Sequence, residues 1–125
     1  MAERFDPSTP IYLQLADRIK NKMIRGELAP GQQLPSVREL AVASGVNPNT
    51  VQHTYKELED SGIVEKHRGQ GTFATENKAI LQQLREEMKE RYIARFVQQM
   101  RDMGCGDREI SDGLRQYFAK KEEKP

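Results

Sequence analysis

Residues 36–58 read SVRELAVASGVNPNTVQHTYKEL, and this stretch decides the fold. Ser36 and Glu39 have the spacing of a capping box, in which the serine hydroxyl accepts a hydrogen bond from the Glu39 amide and the carboxylate accepts one from the Ser36 amide. Gly45 predicts the end of this helix, because glycine adopts the left-handed conformation at little cost. A short helix is therefore expected between Ser36 and Gly45.

A second helix is predicted directly after this glycine. Asn47 can cap its N-terminus, and Pro48 suits its first position, where no amide donor is needed. Apolar residues then recur at helical spacing and are expected to pack on the first helix: Val51, Tyr55 and Leu58. A helix, a tight glycine turn and a second helix together form the helix-turn-helix pattern.

The other face of the second helix is polar and carries Asn49, Gln52, His53 and Lys56. Asparagine and glutamine offer a donor and an acceptor that match adenine in the major groove, and lysine suits guanine or a phosphate. One interpretation of this face is a solvated helix surface. No carboxylate occurs on it before Glu57, and a surface without acids favours the alternative, which is contact with DNA.

Length and composition limit the classes of protein that fit. The chain has 125 residues and a formal net charge of +1, so one small domain with an appendage is expected. Residues 1–75 contain equal numbers of basic and acidic residues, so DNA binding must depend on where the charges lie. Cys105 is the one cysteine, which excludes a disulfide within the chain and favours a reducing compartment. Because the sequence has no apolar run that could span a bilayer and no signal-peptide core, we expect a cytoplasmic protein without a membrane partner.

The N-terminal segment predicts one further helix. Thr9 can cap it with Pro10 in the first position, and Gly26 ends it. Apolar residues at helical spacing give this helix one face for burial: Ile11, Tyr12, Leu15, Ile19, Met23 and Ile24. Residues 28–35 contain two prolines and a glycine, and they predict a turn rather than a regular element.

A β-hairpin is predicted after the helix-turn-helix. Residues 63–66 read as one strand, residues 72–75 read as its partner, and residues 67–71 form the tip. One interpretation is a hairpin that only covers the core. Its position after a helix-turn-helix favours a wing, whose glycines permit close approach to the DNA backbone while Arg68 reaches a phosphate or the minor groove.

The C-terminal part differs in kind, since residues 78–103 contain no glycine or proline. Apolar residues recur there every three or four positions: Leu81, Leu84, Met88, Tyr92, Phe96, Met100 and Met103. Residues 104–106 break this helix, and Asp107 can cap another. Two helices in about fifty residues cannot enclose a core of their own. The stripe is therefore expected to pack against the first domain or a second copy, with a ligand groove as the alternative.

Sites for other chemistry are not apparent in the sequence. His53 and His67 lie on different elements without further ligands at suitable spacing, so no metal site and no cofactor are predicted. No nucleophile has a nearby base, and no glycine-rich phosphate loop follows a strand, so no enzyme is predicted. Cys105 lies between two glycines, where it is either a redox sensor or, as we favour, incidental.

Residues 10–75 resemble the DNA-binding domain of the GntR family of bacterial transcription regulators. The matching blocks occur in the same order and comprise residues 10–14, 26–41, 46–51, 58–62 and 68–73. The resemblance places a DNA-contacting arginine at Arg38, polar recognition positions at Asn47, Asn49, Thr50 and Gln52, and a wing at residues 68–72. Some relatives have an arginine where this chain has Pro48, so base recognition must rest on other side chains.

The short C-terminal region resembles the YtrA-like subgroup of this family, in which two helices form the dimerisation element. The expected fold is mainly α with a small β-hairpin wing. A winged helix-turn-helix domain over residues 1–76 is followed by a two-helix dimerisation region over residues 77–125. The candidate DNA-binding residues are Ser36, Arg38, Asn47, Asn49, Thr50, Gln52, His53, Lys56, Arg68, Gly69, Gln70, Gly71 and Thr72.

Two functional hypotheses follow. The first is a homodimeric transcription regulator that represses from a pseudo-palindromic double-stranded DNA operator, with room for a small-molecule effector of unknown chemistry. The second is a winged-helix protein-interaction module, because this fold alone does not fix function. The basic wing tip and the acid-free start of the second helix favour the regulator, since an interaction module needs neither.

Overall fold

A computed structural model describes the backbone of residues 4–123 and the side chains up to Lys120. The elements follow the order α1 (Ile11–Arg25), α2 (Val37–Ser44), α3 (Pro48–Asp60), β1 (Val64–His67), β2 (Gly71–Ala74), α4 (Lys78–Asp102) and α5 (Asp107–Glu123). This order confirms the predicted class, which is mainly helical with a small antiparallel wing. The chain divides into two compact units, of which one ends at Arg85 and the other begins at Glu86.

Helix α1 ends as predicted but begins differently. Gly26 closes it in the left-handed conformation with φ of 83°. The prediction that Thr9 caps the helix is wrong, because Pro10 occupies the N-cap position and no side chain caps it. The Gln14 side-chain amide instead donates to the Thr9 carbonyl at 2.8 Å. The preceding chain is therefore held by Gln14, one turn into α1, and not by the threonine hydroxyl.

The predicted caps of α2 are present. The Ser36 amide donates to Glu39 Oε1 at 2.9 Å, and the Glu39 amide donates to Ser36 Oγ at 3.1 Å. These contacts lower the pKa of the Glu39 carboxyl, mainly through the hydrogen bond from the Ser36 amide. Gly45 then ends α2 in the left-handed conformation with φ of 69°, which confirms the predicted turn.

Helix α3 is fixed at its start and in its middle. Asn47 Oδ1 accepts from the Asn49 amide at 2.7 Å, with Pro48 in the first turn, as predicted. On the inner face the Thr54 hydroxyl, which is fully buried, donates to the Tyr12 carbonyl at 3.0 Å. The Tyr55 hydroxyl donates to the Pro35 carbonyl at 2.7 Å. Burial, followed by the charge of Glu39, raises the pKa of Tyr55 well above its usual range, so this hydroxyl keeps its proton and remains a donor.

The core of the first unit lies between α1, α2, α3 and the root of the hairpin. Its buried side chains are Leu15, Ala16, Ile19, Met23, Leu34, Ala41, Val51, Leu58, Ile63, Val64 and Ala74. Val51 and Leu58 have no exposed surface, as their helical spacing predicts. The buried face of α3 thus fixes which of its residues face solvent.

The hairpin is present with a shorter tip than predicted. Its antiparallel register pairs Val64 with Ala74 and His67 with Gly71. The loop is therefore residues 68–70, and the predicted five-residue tip is wrong by one residue on each side. The rings of His67 and Phe73 stack with centroids 4.6 Å apart. This contact joins the two strands close to the loop, where His67 pairs with Gly71.

The segment before α2 is more regular than predicted. The Ala74 amide donates to the Gln32 carbonyl at 2.8 Å, and the Leu34 amide donates to the Thr72 carbonyl at 2.7 Å. Gln33 thereby forms a bridge to Phe73. The prediction of a simple turn over residues 28–35 is wrong for these residues, which lie along β2 like a third strand.

Helix α4 begins in the first unit. Asn77 Oδ1 accepts from the amides of Ala79 and Ile80 at 2.9 and 3.3 Å. Leu81 lies beside Met23 of α1, where both line a small groove. The start of α4 is therefore capped and packed against α1.

The second unit contains the rest of α4 and all of α5. The prediction that Asp107 caps α5 is wrong, because the Gly106 carbonyl accepts from the Ile110 amide and Asp107 accepts a hydrogen bond from Arg101 at 2.9 Å. Met88 and Ile110 are buried. Within residues 4–123, every helix is too short or too polar to cross a membrane.

Candidate nucleic-acid interface

The outer face of α3 presents the side chains that the sequence predicted. Asn49 and Gln52 are exposed, and Thr50 is half-buried. Asn47 is exposed, but its amide oxygen is occupied by the cap and only its NH₂ group is left to donate. Asn49 and Gln52 lie three residues apart on one helix, so they share a face and can address neighbouring base edges.

His53 lies on the same helix but is held by a contact that the sequence did not predict. Its ring stacks on the ring of Tyr12 from α1, with centroids 3.5 Å apart and planes 9° apart. Both rings retain exposed surface. The helical spacing predicts only a core position for Tyr12, whereas this contact brings it to the edge of the polar face.

The start of α2 supplies the next part of this surface. Ser36 Oγ accepts from the Glu39 amide, and its hydroxyl hydrogen remains available to a phosphate. Arg38 is exposed, and among the residues that the structure describes it has no hydrogen-bond or ion-pair partner. A guanidinium without an internal partner at a helix start is well placed to hold an anionic backbone.

Lys56 follows one turn after Gln52 and has an acidic neighbour. Its Nζ lies 3.6 Å from Asp60 Oδ1, and both side chains are largely exposed. Such a surface pair contributes about 0–1 kcal/mol, so a phosphate can replace the carboxylate. The acidic residues of α3 are confined to its last turn, as the sequence indicates.

The wing presents a small and open tip. Arg68 is exposed and has no hydrogen-bonding or ionic partner in the described part of the chain. Gly69 has φ of 78°, and nothing lies within 4 Å of the position where a Cβ would stand. Gln70 is exposed, exposed Gly71 begins the return along β2, and Thr72 is half-buried. The tip can therefore approach a second surface with little steric obstruction.

The structure brings α2, α3 and the wing around one shallow cavity of about 440 Å³. Its rim includes Gln52 and Lys56 from α3, Thr72 from β2, and Lys66 from β1. Lys66 was not among the predicted contacts. The sequence could have indicated Lys66, because side chains alternate between the two faces of a strand and Lys66 pairs with Thr72 across the hairpin.

The predicted dimerisation residues fall into two groups. Leu84 and Met88 are buried within a single chain, and Leu81, Phe96 and Met100 are half-buried. Tyr92 and Met103 are 41% and 71% exposed. Four further apolar side chains are exposed in the second unit, namely Ile93, Leu114, Tyr117 and Phe118. Much apolar surface of α4 and α5 is thus uncovered in the isolated chain.

A metal site and a reactive thiol would be other kinds of functional site in this chain. Among the described residues, no three histidine, cysteine or acidic side chains are grouped closely enough to hold a metal ion. Desolvation, followed by the charge of Glu109, raises the pKa of Cys105. A raised pKa reduces the fraction of this thiol that is present as thiolate.

Comparison with known proteins agrees with this geometry. Residues 11–74 match the family described as bacterial regulatory proteins, gntR family. The chain is 45% identical over 117 residues to the uncharacterized HTH-type transcriptional regulator YhcF of Bacillus subtilis, covering 94% of this chain and 97% of YhcF. It is 51% identical over 76 residues to the HTH-type transcriptional repressor YtrA of the same organism, covering 59% of this chain and 58% of YtrA.

A solved structure of similar architecture is that of a GntR family transcriptional regulator from Listeria monocytogenes. It superposes with a TM-score of 0.81 at 35% identity, covering 90% of this chain and 98% of that one. The winged helix-turn-helix and the YtrA-like resemblance are thereby confirmed. The chain belongs to the GntR family of bacterial regulators, which are DNA-binding transcription factors.

Proposed function

We propose that the chain is a sequence-specific repressor that binds a pseudo-palindromic operator as a homodimer. The observation that carries the proposal is the exposure of Arg38 at the start of α2 and of Arg68 at the wing tip, neither of which has a hydrogen-bonding or ionic partner among the described residues. The repressor assignment draws on YtrA, whose name describes a transcriptional repressor. A bacterial protein with this function acts in the cytoplasm, where the DNA is.

Base recognition is assigned to the outer face of α3. Asn49 and Gln52 are exposed and close to the helix start, which is the part of a recognition helix that reaches base edges. Asn47 can add its NH₂ group, Thr50 its hydroxyl, and His53 one ring edge. No acidic side chain precedes Glu57 on this helix, so phosphates meet no repulsion at its start.

Backbone contacts are assigned to the start of α2, to Lys56 on α3 and to the wing. Ser36 and Arg38 would bind phosphates of the DNA backbone from the start of α2. Lys56 would leave its ion pair with Asp60 and bind a phosphate instead. The wing, residues 68–72, would lie along the sugar-phosphate chain. Such contacts fix register without reading sequence.

The dimer is proposed from the uncovered apolar side chains of α4 and α5. Tyr92, Phe96 and Met100 lie along α4 and Met103 follows directly after its end, all with exposed or half-buried surface. A symmetric pair offers the same stripe in return, which covers it without another partner. We accordingly propose a DNA-binding domain over residues 1–76 and a dimerisation region over residues 77–125. A small-molecule effector is compatible with this arrangement, although no site for it is assigned.

The proposal is tested by selecting bound sequences from random double-stranded DNA with the full chain. A motif with dyad symmetry is expected, with half-sites about one turn or roughly 10 base pairs apart, since two α3 helices related by a two-fold axis would read it. On the selected operator, Arg38→Ala should weaken binding by about 1–3 kcal/mol without changing the unfolding transition.

Arg25→Ala is the matched control, since it removes the same charge from the last turn of α1, where Arg25 bonds Glu27. This control should bind nearly as well as the unaltered chain. Failure to enrich any sequence, or equal losses from Arg38→Ala and Arg25→Ala, would refute the assignment and favour a protein-interaction module instead.

A further inference from the structure

Gln33 connects the wing tip to the chain that leads into α2. Its side-chain Nε2 donates to the Gln70 carbonyl at 2.7 Å, across 37 positions of sequence. A carbonyl can only accept, so the amide nitrogen must face Gln70. Gln32 behaves differently, because its Oε1 accepts from the Ala29 amide at 2.9 Å and closes a local turn. Of these two glutamines, Gln33 is the one whose side chain bonds to the wing.

Gly71 provides the space for this contact. A Cβ built at Gly71 would stand 2.6 Å from Gln33 Nε2, and the residue has φ of 119°. Any larger residue would displace the glutamine amide and strain the backbone. The amide of Gln33 is therefore packed against bare backbone at the point where the tip joins β2.

The same segment sets the start of α2. Leu34, which bonds the Thr72 carbonyl through its amide, lies two residues before the Ser36 cap, and Arg38 follows in the first turn. The wing and the start of α2 thus share one stretch of backbone. The backbone bonds of this segment reach β2 at Thr72 and Ala74, and the Gln33 side chain carries the connection on to the loop of the tip at Gln70.

We propose that Gln33 is a positioning residue for DNA binding, which holds the wing tip so that Arg68 meets the DNA backbone. This inference rests on the function proposed above and adds to it a residue that the predicted contacts omit. Without the amide, the tip must be ordered at the moment of binding, and that ordering reduces affinity. The role of Gln33 is then expressed mainly through Arg68, which carries the charge of the wing tip.

The test is a double-mutant cycle on the selected operator, measured by fluorescence anisotropy at several salt concentrations. Gln33→Met keeps the length of the side chain and removes the donor, and Arg68→Ala removes the contact that it serves. Gln33→Met should weaken binding about three- to tenfold in the unaltered chain and have little further effect in Arg68→Ala. It should also lower the salt slope by up to about one, as Arg68→Ala does.

Gln32→Met is the matched control, since it removes the neighbouring amide and should leave the salt slope unchanged. Equal losses from Gln33→Met with and without Arg68 would overturn the inference, as would normal binding by Gln33→Met while Arg68→Ala binds weakly. The second result leaves the proposed function intact. Normal binding by Arg68→Ala would show that Arg68 does not contact the DNA, and the inference about Gln33 would fail with it. The proposed function would still be tested separately by Arg38→Ala.

Discussion

The ring of His53 lies flat on the ring of Tyr12, with centroids 3.5 Å apart and planes inclined by 9°. In the next position along α3, the Thr54 hydroxyl donates to the Tyr12 carbonyl at 3.0 Å. One residue of α1 thus holds two consecutive residues of α3. His53 is fixed on the polar face by this stack, although it remains exposed.

Removal of the stack should therefore cost stability. In a cycle of Tyr12→Leu and His53→Ala, we expect a coupling of about 0.5–1.5 kcal/mol in the free energy of unfolding. The hydrogen bond to the Tyr12 carbonyl survives both changes, because it uses backbone. Urea unfolding measures the coupling, and strictly additive effects of the two substitutions would show that the ring contact contributes nothing.

The capping box predicts a particular dependence of stability on pH. Hydrogen bonds from Ser36 lower the pKa of Glu39 in the folded chain below its unfolded value of about 4.3. The unfolded chain then binds more protons at acid pH. The stabilisation is fully present above the unfolded pKa and is lost as pH falls through the folded one.

Glu39→Gln retains a capping side chain and cannot ionise, so its stability should fall less between pH 6 and pH 3 than that of the unaltered chain. Glu59→Gln removes an exposed carboxylate of α3 outside the capping box and serves as the control. Thermal unfolding across this pH range gives the comparison. Parallel pH curves for Glu39→Gln and the unaltered chain would contradict the linkage.

The local signals of the sequence were sufficient for the helix-turn-helix. Ser36 with Glu39, and Asn47 with Pro48, act within one helical turn, so their pattern specifies the caps without knowledge of the rest of the chain. The stop at Gly45 is equally local. These elements, and the polar face that they orient, agree with expectation.

Contacts between distant segments could not be predicted in the same way. The bridge between Gln33 and Phe73 joins residues forty positions apart. The composition of residues 28–35 does not indicate which segment they pair with. The stack of Tyr12 on His53 depends on how α1 and α3 cross, which periodicity alone does not fix. The hairpin tip is shorter than predicted for a related reason, because the register is set by pairing across the strands.

Base-reading and backbone-holding residues should respond differently to substitution. Asn49→Ala and Gln52→Ala should relax preference at particular base pairs, because their amides are assigned to base edges. Lys56→Ala and Arg68→Ala should weaken binding to all DNA sequences alike, and each should lower the slope of log affinity against log salt concentration by about one. Binding-site selection with each variant separates the two classes. An unchanged motif for both amide variants would remove base recognition from this face.

The proposed dimer would connect the C-terminal helices to the affinity for DNA. Residues 1–75 contain equal numbers of basic and acidic residues, so one DNA-binding domain is expected to bind DNA weakly alone. Two joined domains gain affinity through effective concentration. Phe96→Glu or Tyr92→Asp places a charge in the apolar stripe and should separate the chains. Gln99→Glu adds the same charge at an exposed polar position of α4 and is the control.

Sedimentation velocity of the full chain, alone and with labelled operator, measures whether a dimer forms and whether it is the dimer that binds DNA. We expect a dimer at micromolar concentration, two chains on each operator, and a monomeric Phe96→Glu chain that binds poorly while Gln99→Glu remains dimeric. A monomeric unaltered chain, or a monomeric variant that binds the operator as tightly as the unaltered chain, would contradict this expectation.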